Sequence, residues 1–118
     1  MPTEQIADAQ TLRSLGTRIL AYHEQHGHSL QLDEREVQHT LNHMTSEVAE
    51  LWTCVRKGRL EPYEGPGGKP EGFDAEAADV LLVLLGLVTR TRGLEAFLAG
   101  VEKKLAWVEL HNPNAGEC

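Results

Sequence analysis

The chain is short of several things, and each shortage excludes a class of protein. It has two cysteines in 118 residues. A disulfide framework needs more, so Cys54, in a helical pattern, and Cys118, the last residue, read as free thiols of a reducing compartment. Long hydrophobic runs are missing: the longest, residues 77–88, is too short to span a bilayer and contains Asp79. The opening Met-Pro-Thr-Glu-Gln has neither the basic start nor the apolar stretch of a signal peptide. A cytoplasmic protein that makes no membrane contact is the expectation. Positive charge is scarce too. Lys and Arg number 11 against 18 Asp and Glu, for a net charge of −7. That balance argues against tight binding of nucleic acid or anionic lipid, yet it is too small for a disordered acidic tail.

What is present is ordinary. Hydrophobic residues make up 41% and charged residues 25%, as in soluble globular proteins. The length suits one domain over 1–118, with a core that needs no staples.

The periodicity predicts an all-α, four-helix bundle-like subunit. In a first helix over 4–26, Leu12, Leu15, Ile19 and Tyr22 recur on one face. Residues 1–32 are this N-terminal helix and its turn, closed by His26-Gly27-His28. A second helix starts at Asp33, where Asp33 and Glu36 have capping-box spacing, and stops near Gly58. Its apolar seam is Val37, Leu41, Met44, Val48, Leu51 and Val55. Five Gly and three Pro in residues 58–72 make a loop and no element. A third helix over 74–93 is apolar nearly all round and should be the most buried; a strand over 81–88 is the alternative. The fourth spans 94–111, with Leu94, Leu98, Val101, Leu105 and Val108 as its seam. Residues 33–111 thus hold the motif-bearing helices, and 112–118 are a loose tail.

Two carboxylate pairs carry the chemistry: Glu47 with Glu50 and Glu76 with Asp79, each three residues apart and so on one helix side. The first pair alone fits a solvated face. Asp79 is harder to dismiss, because it interrupts an apolar run and a buried carboxylate needs a partner. No Lys or Arg lies between Lys69 and Arg90. The partner is then a divalent cation, or a base from another helix or subunit. His43, Glu47, Glu50 and Cys54 form a stripe roughly 100–120° from the Val48 seam, at the edge of the core. Four carboxylates from two helices make an all-oxygen site suited to Mg²⁺ or Mn²⁺ and unsuited to Zn²⁺.

These residues resemble a family. SEVAELWTCVRKG, then a Gly/Pro loop with GGKPEGF, then AEAADVLLVLLGLV is similar to the MazG-like nucleotide pyrophosphohydrolases, of the all-α NTP pyrophosphatase superfamily. Their pattern is ExxE, a spacer and ExxD, and the likeness covers residues 33–111. It implies that Glu47, Glu50, Glu76 and Asp79 coordinate Mg²⁺, with Mn²⁺ as an alternative. The ion in turn holds a nucleoside triphosphate, which is split into a monophosphate and pyrophosphate. Glu47 and Glu50 are the catalytic candidates. Many members carry a further Glu before the ExxE, where this chain has Ser46. The base is therefore one of the four carboxylates or a water acidified by the metal.

Lys57 and Lys69, with Arg56, bracket the loop and are candidate phosphate contacts. Many relatives have Lys, Asn and Arg on the last helix, where this chain has Lys104, Val108 and His111. Lys104, Trp107 and His111 share one helix side, suited to a phosphate and a base or to a subunit interface. His23, His26 and His28 read as scattered surface histidines. GPGGKP lacks the residues of a Walker A loop, and the single ExxH, Glu36 to His39, does not make a di-iron bundle. The all-round apolar third helix predicts a homodimer or homotetramer. The competing expectation is a non-catalytic helical module with the same fold.

Overall fold

The computed structural model describes residues 9–111, so the expected tail and Cys118 lie outside the described residues. It contains four helices: α1 (Ala9–Gln25), α2 (Glu34–Arg56), α3 (Phe73–Thr89) and α4 (Leu94–His111). The all-α expectation holds, and residues 81–88 are helical. No helix among the described residues is long and apolar enough to cross a membrane.

Local chemistry sets the boundaries. The Asp33 side chain accepts from the Glu36 amide at 2.8 Å, and the Glu36 carboxylate accepts from the Asp33 amide at 3.0 Å, which closes a full capping box. Gly58, at φ 70°, ends α2 as the Arg59 amide reaches back to the Cys54 carbonyl. The third helix stops at Thr89, four residues before the expected Gly93, because the Gly93 amide folds back onto the Val88 carbonyl at 2.8 Å.

The Gly/Pro segment corrects the expectation of a plain loop. It holds two short strands, β1 (Tyr63–Glu64) and β2 (Pro70–Glu71), paired antiparallel with Tyr63 opposite Glu71. A 3-10 turn at Pro66–Gly68 reverses the chain, with Gly67 and Gly68 at positive φ. Gly72, at φ 106°, then starts α3; a Cβ there would meet the Glu61 carbonyl at 2.5 Å. Strands of two residues leave no alternation in a sequence to detect.

Helix α3 is the hub, touching α2 most extensively, then α1 and α4. It contributes Leu85, Gly86 and Leu87 to the buried set. The other buried apolar residues among those described are Cys54 and Val108. The α2 seam is a second correction: Leu41, Val48 and Val55 are exposed, Val48 by 49%. The line turned inward is Thr40, Met44, Glu47, Leu51 and Cys54. Likewise Val101 and Leu105 of the α4 seam are exposed, and α3 leaves Leu81 and Leu82 about 40% exposed.

Candidate functional site

α2 and α3 run in opposite directions. At one end the Leu32 amide, just before α2, donates to the Arg90 carbonyl at 2.8 Å. Toward the other, Glu50 and Glu76 line one cleft of about 210 Å³. This pairing brings the four sequence-predicted carboxylates together. Burial first, then the charges of Glu50 and Asp79, pushes the Glu47 carboxyl above its ordinary value. Burial, then Asp79, Glu50, Glu71 and Glu47, does the same to Glu76. Glu47 is half-buried, with 13% of its side chain exposed, as are Glu76 and Asp79, whereas Glu50 is exposed.

The stripe of His43, Glu47, Glu50 and Cys54 lies at the edge of the core as expected, with His43 and Glu50 exposed, Glu47 half-buried and Cys54 buried. A seam's spacing gives the phase of an apolar stripe, but either edge of that stripe can abut a neighbour.

Cations are sparse here. No lysine or arginine forms an ion pair with these carboxylates among the described residues. Only His43 comes near, with Nδ1 3.9 Å from Glu47 Oε2. The basic partner from another helix, one of the alternatives for Asp79, is not found among the described residues. Lys69 acts on Glu47 through its field, and Lys57 lines the small cleft with Glu50 and Glu76. Arg56 is exposed.

The donor set suits a hard divalent ion, being four carboxylates with oxygen alone to offer. The geometry is open: among the described residues, no three His, Cys, Asp or Glu side chains converge to hold a metal. Mg²⁺ commonly keeps several waters and takes one or two protein carboxylates. The donor chemistry therefore fits the ion, without a preassembled cage.

No protein-family model, curated protein or solved structure matches this chain.

The last-helix candidates form a unit of their own. The Lys104 ammonium lies 5.6 Å from the Trp107 ring centre, and the Trp107 and His111 rings stack at 4.6 Å. His111 Nδ1 is 3.1 Å from the Trp107 carbonyl. α4 packs on α3 and α1, and Lys104 is not among the charges acting on Glu47 or Glu76. The stack and the carboxylates are not brought together within the subunit.

Sequence reasoning missed Glu71, which acts on Glu76 and lines the small cleft with Arg59 and Tyr63. The β1–β2 register puts it there, and no residue pattern announced that register. His26 and His28 are exposed and His23 half-buried, so the surface reading of these histidines holds. They are gathered, not scattered: His23 Nδ1 and His28 Nδ1 are 2.9 Å apart, and Tyr22 lies 4.2 Å from the His26 ring.

Proposed function

We propose that this chain is a Mg²⁺-dependent nucleoside triphosphate pyrophosphohydrolase of the MazG-like type. It converts a (d)NTP to the monophosphate and pyrophosphate. The reading is supported by one observation: four carboxylates lie within reach of one another's charge across the α2–α3 interface, with no lysine or arginine ion-paired to them among the described residues.

In this reading Glu47, Glu50, Glu76 and Asp79 hold the ion, and Mn²⁺ substitutes for it. When bound, such an ion neutralises phosphate charge and lowers the pKa of a water. Lys57, at the end of α2, and Lys69, just after the 3-10 turn of the hairpin, bring positive charge to the polyphosphate. The Ser46 hydroxyl donates back to the Asn42 carbonyl at 3.4 Å, so it does not replace the Glu found there in many relatives. The proton-accepting role falls to Glu47 or Glu50, the latter being open to solvent. The exposed apolar side chains of α2, α3 and α4 support a homodimer or homotetramer, and the Lys104–Trp107–His111 stack stands on such an exposed surface. The carboxylate chemistry fits a cytoplasmic enzyme, where Mg²⁺ and nucleotides meet.

The test is pyrophosphate release from a panel of nucleoside triphosphates with Mg²⁺ or Mn²⁺. Turnover is expected with at least one, and Glu50→Gln or Asp79→Asn should abolish it while the helical circular dichroism persists. Full turnover in both variants overturns the reading. The open carboxylate geometry favours a second reading, a binding module without catalysis. Saturable Mg²⁺ and nucleotide binding by calorimetry, with no release of pyrophosphate, selects it.

A further inference from the structure

A larger cavity lies toward the other end of the α2–α3 pair, between α1, α2, α3 and the 27–32 turn, and runs along α2 as far as His43. Its volume is about 760 Å³, the size of a small-molecule site. It shares no lining residue with the cleft at Glu50 and Glu76. Ile19, Leu32, Leu82 and Val83 supply apolar wall, and Tyr22 stands at it with His23 and His28.

Arg90, which also lines this cavity, is the residue that asks for a ligand. It is 8% exposed, and its guanidinium is permanently charged. Nε donates to the Gly86 carbonyl at 2.9 Å and Nη1 to the Ser29 carbonyl at 3.2 Å. These carbonyls fix the group but carry no net charge. No carboxylate pairs with it among the described residues. The acid acting on it, Glu36, has both oxygens engaged, by the Ser29 hydroxyl at 2.6 Å and the Asp33 amide at 3.0 Å. Among the described residues Arg90 Nη2 has no hydrogen-bond partner, and it is not a fully buried unsatisfied atom, so it keeps some exposure on a residue that lines the cavity. A buried, held, unpaired guanidinium facing an apolar cavity is half of a charge-assisted pair.

We propose that this cavity binds a small organic anion, with an apolar or aromatic body and a phosphate or carboxylate head, anchored by Arg90. The body lies against Leu32, Leu82 and Val83, and the head meets the free edge of the guanidinium. His23 and His28 flank that head. The local field agrees: burial, then Arg90, His28 and His26, holds His23 down to a pKa of about 4. An anion bound beside Arg90 reverses the charge part of that effect.

The test uses the full chain, stripped of metal with a chelator and without nucleotide, so that its outcome is independent of the pyrophosphohydrolase reading. Phenyl phosphate, benzoate and neutral benzyl alcohol are titrated at neutral pH while the His23 and His28 ring signals are followed by NMR. At least one anion should saturate both signals and raise the His23 pKa from its value of about 4, and the alcohol should bind at least about tenfold more weakly. Which anion wins identifies the head group. Arg90→Met should lose the response. Because that change also removes two hydrogen bonds, Leu82→Trp, which fills the cavity from a 40% exposed position, should lose it in a folded chain. The proposal is overturned if neither anion saturates at millimolar concentration, if the alcohol binds as well, or if Leu82→Trp binds undiminished.

Discussion

At one end of the α2–α3 pair four carboxylates meet; at the other, a guanidinium and two imidazoles meet beside a larger cavity. Each end leaves charge of one sign half-buried without a full counter-ion among the described residues. The difference lies in how the charges are held. Arg90 is fixed by two backbone carbonyls, whereas among the described residues the carboxylates have no charged group nearer than His43, and Lys69 acts on Glu47 only through its field. One end is therefore held rigidly by the backbone, and the other is spread by its own repulsion.

The largest expected effect breaks the acidic end alone. Glu47→Gln with Asp79→Asn should lower pyrophosphate release by more than the ~10–100-fold typical of losing an outer-shell metal partner. The same change should raise the melting temperature of the metal-free chain, since it removes repulsion. Adding Mg²⁺ sharpens the contrast: a hundredfold excess over Kd should stabilise the native chain by about 2.7 kcal/mol. Calorimetric scans should show that gain reduced in Glu76→Gln and kept in Arg90→Met. Arg90→Met itself should cost about 1–3 kcal/mol in urea unfolding, because the Gly86 and Ser29 carbonyls lose their charged donor. Activity per folded molecule should not change.

A further contrast is in the response to acid, where the two ends have opposite signs. His23 has an ordinary value of 6.5 and a folded value of about 4. The unfolded chain therefore takes up the proton first, and stability falls as pH drops from 6.5 towards 4. Glu47 and Glu76 have raised folded values, so the folded chain takes up protons first and stability rises as pH falls towards the ordinary 4.5. His23→Gln should flatten the acid loss between pH 6.5 and 4 in a series of melting curves and leave the carboxylate gain visible.

Much of the frame was legible from local chemistry. The capping box at Asp33 and Glu36, the span of α4 and the same-side placement within each carboxylate pair follow from spacing within a few turns, whereas the facing of ExxE against ExxD was implied by the resemblance. The rotation of α2 did not, because the exposed Leu41–Val48–Val55 edge is more apolar than the Thr40, Met44, Glu47, Leu51 and Cys54 line that packs. Nor did the Arg90 cavity, which depends on a contact between Ser29 and Arg90, 61 residues apart. The acidity also divides more finely than a count suggests. Residues 33–51 hold five acids and one arginine, for −4, and residues 73–89 hold three acids and no base, for −3. Together these equal the whole net charge of −7. Yet Asp33 and Glu36 serve the start of α2 and not the carboxylate centre.

The central place of α3 also bears on the order of synthesis. The main contacts of α1 and α2 are with a helix that begins at Phe73. While a ribosome is making the first half of the chain, Leu12, Leu15 and Ile19 have no surface to close upon. Neither the Arg90 anchor nor the Glu76–Asp79 pair yet exists. Both ends of the α2–α3 pair are therefore assembled late and nearly together, when α3 emerges and lays itself between helices that have been waiting for it.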